Sequence, residues 1–220
     1  AVVERALANN RNLRIAALNV EKARAQYRIT DADRYPTVDA SVGSSAAKSA
    51  NTITRKYSAE LGGSYELDFF GRLRNLKDAA LESFLASEAS GRSTRISLIS
   101  EVADAWLTLA SDQALLSLAS DTLASRRKTL DLTRKQKDLG YATELALAQQ
   151  QGLTEAARGD VARYQTLVAQ DRNALVLLVG NDLPDELLPD GADGLASSAN
   201  KLIEVPAGLS SDVLLRRPDI

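Results

Sequence analysis

Apolar positions along this 220-residue chain recur with two different periods, and the places where the period changes divide it into elements. From residue 1 to about 33 the spacing is three and four, as on one face of a helix. Asn9-Asn10-Arg11-Asn12 interrupts it, since Asn favours caps over helix interiors, which predicts a short helix followed by a longer one. The second piece carries Leu13, Ala16, Ala17, Val20, Ala23 and Tyr27 on one stripe. Pro36 ends it by pushing the residue before it out of the helical region. After Pro36 the period drops to two, with Val38, Ala40 and Val42 alternating with Thr37, Asp39 and Ser41. The small polar stretch from Ser44 to Thr54 reads as a loop.

From Tyr57 to Phe69 every odd position is apolar or glycine and every even position is polar or glycine. Thirteen alternating residues exceed the roughly 5–6 of an ordinary strand and suffice for the ~9–11 of a tilted membrane-spanning one. The same alternation also serves an amphipathic strand in a soluble sheet. Tyr57 at one end and Phe69-Phe70 at the other suit the aromatic girdles of a bilayer-spanning sheet.

Gly71 closes this run, and helical pattern resumes at Arg72 and continues to Leu139. A helix of about 68 residues would be ~100 Å long at ~1.5 Å per residue, so it must lie against other long helices. Val102, Leu109, Leu116, Leu123 and Leu130 recur every seventh residue, with Ile99 and Trp106 in the complementary position, which is a coiled-coil seam. Gln113, Ser120 and Arg127 continue that second position in polar form. They fit a helix with more than one partner or one beside a water-filled space. Leu139-Gly140-Tyr141-Ala142-Thr143 predicts a tight turn, with Gly140 left-handed and Thr143 capping a returning helix from about Glu144 to Val179. Leu147, Val161, Val168 and Leu175 share its seven-residue frame, with Thr154 the polar exception. Two long helices joined so briefly run antiparallel. Gly180 and Pro184 stop the second. Residues 181–211, around the apolar run Leu202-Ile203-Glu204-Val205, read as a connector wrapping the helical body. The uncapped run from Val213 to Ile220 reads as the start of a further element.

The fold class is therefore mainly α, long antiparallel coiled-coil helices with a two-strand β insertion. The expected segments are 1–35 helical, 36–71 the strand pair and its loop, 72–180 the long hairpin, and 181–220 the connector with the start of that further element.

Composition narrows the function. Cys and His are both absent, which removes disulfides, the common zinc sites and the Ser-His or Cys-His nucleophiles. The 29 acidic residues read as solvated helix faces rather than acid–base pairs, so no enzyme is expected. With 27 basic residues against them, the net charge of −2 gives no support for a nucleic-acid partner. No stretch approaches the ~18 apolar residues of a membrane helix, although a β-barrel needs none. No secretory signal is present among these residues, and one, if it existed, is expected to have preceded them.

Three stretches carry a resemblance to a known family. Tyr65-Glu66-Leu67-Asp68-Phe69-Phe70-Gly71-Arg72-Leu73-Arg74 resembles the strand-to-helix signature Trp-Glu-Leu-Asp-Leu-Phe-Gly-Arg of the outer-membrane factors, the trimeric tunnel proteins of tripartite efflux pumps. Leu214-Leu215-Arg216-Arg217-Pro218-Asp219-Ile220 resembles the opening of that family's second repeat. Asp138-Leu139-Gly140-Tyr141-Ala142-Thr143-Glu144-Leu145 resembles the hairpin at its periplasmic tip. The match is nearer to the lipoprotein branch, though the branch's acylated cysteine is not among these residues.

The resemblance implies a first repeat only: two of a protomer's four strands in a twelve-stranded barrel, mounted on a helical tunnel in the periplasm. It implies a passive exit duct for drugs or other small molecules, a homotrimer when complete, and as partners a periplasmic adaptor protein, an inner-membrane pump and outer-membrane lipid. It implies no catalytic residue, metal or cofactor. The adaptor contact is expected at Leu139, Gly140, Tyr141, Thr143 and Glu144. Tyr57, Leu61, Tyr65 and Leu67 are expected to face lipid, and Glu60, Glu66 and Asp68 the lumen or its rim, where their charge would favour cations. Gly71, Arg72, Arg216, Arg217, Pro218 and Asp219 are the signature positions. Two rival readings are a periplasmic adaptor, which also carries a long helical hairpin, and a soluble coiled-coil scaffold. Adaptors surround their hairpin with Gly- and Val-rich β modules, whereas a single strand pair precedes this one.

Overall fold

The computed structural model describes residues 1–49, 52–191, 208 and 210–218. Their order is α1 (Val2–Asn9), α2 (Arg11–Ala32), β1 (Thr37–Ser49), β2 (Thr52–Ser64), α3 (Arg72–Asp138) and α4 (Glu144–Val179). Two 3-10 turns come after α4, Asp185–Leu187 and Ser211–Arg216. None of the described helices is long and apolar enough to cross a membrane. The chain divides into two compact units, Ala1–Ile15 with Arg92–Ile220, and Ala16–Gly91.

In the first unit, Ala6 of α1, Leu98, Val102 and Leu109 of α3, and Leu175 and Val179 of α4 form the buried cluster, joined by Leu183 just past α4. The seven-residue frame accounts for Val102, Leu109 and Leu175 among them, and also buries Leu123 on α3 and Leu147 on α4, while Leu98 and Val179 lie outside it. Thr154, the polar member of the α4 frame, is buried and donates its hydroxyl to the Gln150 carbonyl at 2.8 Å, so it brings no unmet hydrogen bond into the seam. Gln113, the first polar residue at the second α3 position, accepts from the Gly191 N–H at 3.1 Å, and Trp106 one heptad earlier donates its indole N–H to the Leu187 carbonyl at 3.1 Å. The connector is thus a second partner for α3 at Trp106 and Gln113.

The chain breaks where the asparagines stand. Asn10 is extended, and its Oδ1 accepts from the Leu13 N–H at 2.9 Å, capping α2. Its Nδ2 donates to the Leu178 carbonyl at 2.7 Å, meeting one of the acceptors that the end of α4 leaves open. Gly180 then closes α4 in the left-handed region, φ 78°, with its N–H on the Val176 carbonyl.

In the second unit β1 and β2 are antiparallel and thirteen residues each, in register from Thr37 opposite Ser64 to Ser49 opposite Thr52. The stretch from Ser44 to Thr54, expected as a loop, is instead mostly strand, leaving only residues 50 and 51 between the ladders. Small polar side chains favour loops on composition, but Ser44–Ser49 and Thr52–Thr54 each find a partner in register, and the ladder outweighs the propensity. β2 also stops at Ser64, so Tyr65, Glu66, Leu67 and Asp68 are not strand residues, contrary to expectation. Pairing ends there because the partner strand begins at Thr37, behind Pro36, whose ring nitrogen has no hydrogen to donate. The Thr37 and Ser64 hydroxyls, 2.7 Å apart, close the ladder. Elsewhere in this unit Lys77 of α3 pairs with Asp31 of α2 at 3.2 Å, and a Cβ on Gly91 would rest 3.4 Å from Val20.

Candidate functional site

Two places concentrate the expected functional residues: the turn between α3 and α4, and the strand pair with the corner after it. At the turn, Gly140 has φ 79°, and its N–H donates to the Lys137 carbonyl at 2.9 Å while the Tyr141 N–H reaches back to Gln136 at 2.8 Å. These two bonds satisfy two of the carbonyls that α3 would otherwise leave open, the paired pattern of a glycine-terminated helix. Thr143 is extended, and its hydroxyl oxygen accepts from the Ala146 N–H at 3.2 Å, opening α4. Glu144 lies in the first turn, favourable against the helix dipole, and pairs with Lys137 across the turn. With the backbone so fully engaged, the side chains of Leu139, Tyr141 and Leu145 point outward, 71%, 84% and 68% exposed. The turn thus presents three exposed apolar side chains on a hydrogen-bonded backbone, beside the Lys137–Glu144 pair.

The strand pair sorts its side chains by face. Directly opposed residues share a face in an antiparallel ladder, so Val38, Ala40 and Val42 lie with Gly63, Leu61 and Ala59, and Ser44 with Tyr57. The other face holds Asp39, Ser41 and Gly43 with Gly62, Glu60 and Ser58. Apolar and polar residues therefore separate, until Lys48 and Arg55 join the apolar face near the hairpin end. The large apolar side chains are bare: Val42 is 88% and Leu61 77% exposed. Tyr57 and Leu61 stand on the apolar face of the ladder and Glu60 on the polar one.

The corner after β2 explains why Glu66 and Asp68 are elsewhere. Both are spent on the start of α3. Arg72 donates from Nε to Glu66 Oε1 at 3.0 Å and from Nη2 to Oε2 at 2.6 Å, a bidentate clasp. Asp68 Oδ2 accepts from the Arg74 N–H at 3.0 Å. Desolvation pushes the Asp68 carboxyl up, but the N–H groups of Arg74, Leu73 and Arg72 and the Arg72 charge outweigh it, holding the carboxyl below the ordinary carboxylate range. Gly71 turns the chain at φ 72°, and Leu73 is buried. Phe69 and Phe70, 81% and 97% exposed, flank an open polar hollow lined also by Arg34, Tyr65 and Arg74.

Of the remaining signature residues, Arg217 is exposed and Pro218 half-buried after the 3-10 turn Ser211–Arg216. The Arg216 side chain and Asp219 lie outside the described residues, as does the apolar run 202–205. Sequence reasoning placed a break at Asn9–Asn12 and a stop at Gly180 but not the contact between them, which depends on segments about 170 residues apart.

A family model described as outer membrane efflux protein matches residues 2–181. The probable efflux pump outer membrane protein TtgC of Pseudomonas putida is 46% identical over 228 residues, covering 100% of this chain and 46% of that protein. The cation efflux system protein CusC of Escherichia coli is 40% identical over 224 residues, covering 100% of this chain and 48% of CusC. A crystal structure of CusC superposes with a TM-score of 0.80 over 99% of this chain and 51% of that one. The Neisseria gonorrhoeae MtrE outer membrane channel in its open state, 34% identical, gives 0.78 over 99% and 49%. The chain spans about half the length of these relatives.

Proposed function

The chain belongs to the outer membrane efflux protein family, and on that premise we propose that it forms one repeat of a passive exit duct through the bacterial outer membrane. The observation that carries the reading is the face separation of the β1–β2 ladder. A sheet with one apolar and one polar face, both bare, is what a closed barrel needs, with lipid outside and water inside. Tyr57 and Leu61, with Val38 and Val42, would meet lipid, and Glu60 with Asp39 the lumen. α3 and α4 would continue the passage as a tunnel wall in the periplasm. The complete protein would be a trimer receiving small molecules from an inner-membrane pump through a periplasmic adaptor. No chemistry is assigned to the duct, since the pump supplies the energy.

The turn at Leu139–Glu144 is the proposed adaptor contact. Its exposed Leu139 and Tyr141 on a backbone fixed by Gly140 and Thr143 offer a preformed apolar knob, which costs little ordering on binding. Planar-bilayer conductance of the intact protein tests the duct directly. Discrete steps that grow or become more frequent when the tip helices are loosened are expected. A protein that remains soluble and never conducts would return the helical hairpin to an adaptor or scaffold role.

A further inference from the structure

Every seventh residue from Ile99 along α3 changes character in one direction: Ile99, Trp106, Gln113, Ser120, Arg127, Arg134. Trp106 and Gln113 are engaged by the connector, and Ser120 returns its hydroxyl to the Leu116 carbonyl at 2.8 Å. Arg127 and Arg134 are exposed, and neither has a hydrogen-bond or ion-pair partner among the described residues. The other seam position over the same stretch still packs, with Leu123 buried and Leu130 half-buried. The two arginines therefore stand in a row on the flank of a packed seam, about 10 Å apart at ~1.5 Å per residue. Charged helix surfaces are ordinarily solvated faces. These two differ in holding a seam register, and in being arginines, whose planar fork grips carboxylates bidentately.

We propose that Arg127 and Arg134 form a rail that holds an acidic helix of another polypeptide, one with carboxylates a heptad apart, alongside α3 near the turn. This rests on the docking role proposed for the tip and names the chemistry of what docks. Charge complementarity also argues against a second copy as the occupant. Of the carboxylates between residues 128 and 160, Asp131 is taken by Lys135, Glu144 by Lys137 and Glu155 by Arg158. Asp131 and Asp138 do stand a heptad apart on α3, but with Asp131 paired to Lys135 a second copy offers only one of the two carboxylates the rail needs, and Asp160 lies on α4.

The test titrates the intact protein in detergent micelles with a synthetic coiled-coil hairpin bearing Glu at two positions a heptad apart, and with its Gln counterpart. The Glu hairpin should bind, more weakly as salt rises. R127Q/R134Q should weaken it roughly tenfold, the scale of two exposed charge pairs. K128Q, one residue round the same helix, should leave it nearly unchanged, and R127E/R134E should shift the preference to a Lys-bearing hairpin. Equal binding of the Glu and Gln hairpins, or a loss in K128Q matching that in R127Q/R134Q, overturns the rail. So does a failure of R127E/R134E to assemble while the Glu hairpin never binds, which would give the rail to the protein's own assembly. Bilayer conductance recorded on the same samples keeps the two readings apart. A silent wild type sinks the duct, whereas failure of the rail appears in the titration alone and leaves conductance intact.

Discussion

A Cβ built on Gly180 would lie 2.6 Å from the Asn9 carbonyl oxygen and 3.0 Å from its carbonyl carbon, backbone atoms that cannot swing aside. The residue also sits at φ 78°, where a side chain is strained even in open space. Gly180→Ala should therefore cost about 2 kcal/mol or more, read as a lowered denaturant midpoint. Gly152, inside α4 with nothing within 4 Å of its built Cβ, makes the contrast: Gly152→Ala should gain about 0.5–1 kcal/mol from helix propensity. An unchanged midpoint in Gly180→Ala would mean that the close approach is not held in solution. Asp171 on α4 gives a residue-scale response to pH. Burial first, then the neighbouring Asp112 carboxyl of α3, raise its carboxyl above the ordinary range. A folded value above the unfolded one favours the folded state at acid pH, and the benefit fades as pH rises through the raised value. The melting temperature of the wild type should thus fall from about pH 4 toward neutrality more steeply than that of Asp171→Asn. Parallel profiles would show that the pair does not titrate with folding.

The start of α3 shows how far an element can be read from its residues. The corner contains the very residues whose alternation carried the strand pattern on to Phe69, because Glu66 and Asp68 fall on even positions by the accident of where a helix must be capped. Period alone does not separate a polar strand face from a capping pair. What separates them is Pro36 just before the partner strand, thirty residues earlier in the chain. The helices were legible because their signals are local: Asn10, Gly140, Thr143 and Gly180 each stand within a turn of the end they set. β1 was half legible, since its pairing residues Ser44 to Ser49 carry no pattern of their own and take their state from β2. The duties of Trp106 and Gln113 were hidden for the same reason, each depending on a segment some eighty residues away. If Asp68 caps α3, Asp68→Ala should speed amide exchange at Arg72 to Asn75 and leave the exchange of α4 as it was. Because its folded value is lowered, the protection it gives should hold above the usual carboxylate range and disappear as pH falls through the lowered value.

At the scale of the molecule, the described residues leave a two-strand sheet bare on both faces, with charge kept off the middle of one of them. That arrangement makes Leu61 the informative position. In the complete protein, Leu61→Arg should cost about 2–4 kcal/mol of membrane insertion if its face meets the bilayer interior, measured by equilibrium unfolding from lipid. Insertion equal to the wild type would turn the faces around. The Asn10 amide carries a consequence of another kind. Its bond to Leu178 joins residues 168 apart in sequence, so it closes a loop of most of the chain. Loop closure costs entropy that only a formed docking surface repays, and the end of α4 is that surface. α3 and α4, joined by a short turn, meet without that cost, which predicts that α1 docks after they have paired. Truncations at Ala6 or Asn10 then act on the unfolding limb, hastening release of the N-terminal helix while leaving the rate of folding nearly untouched.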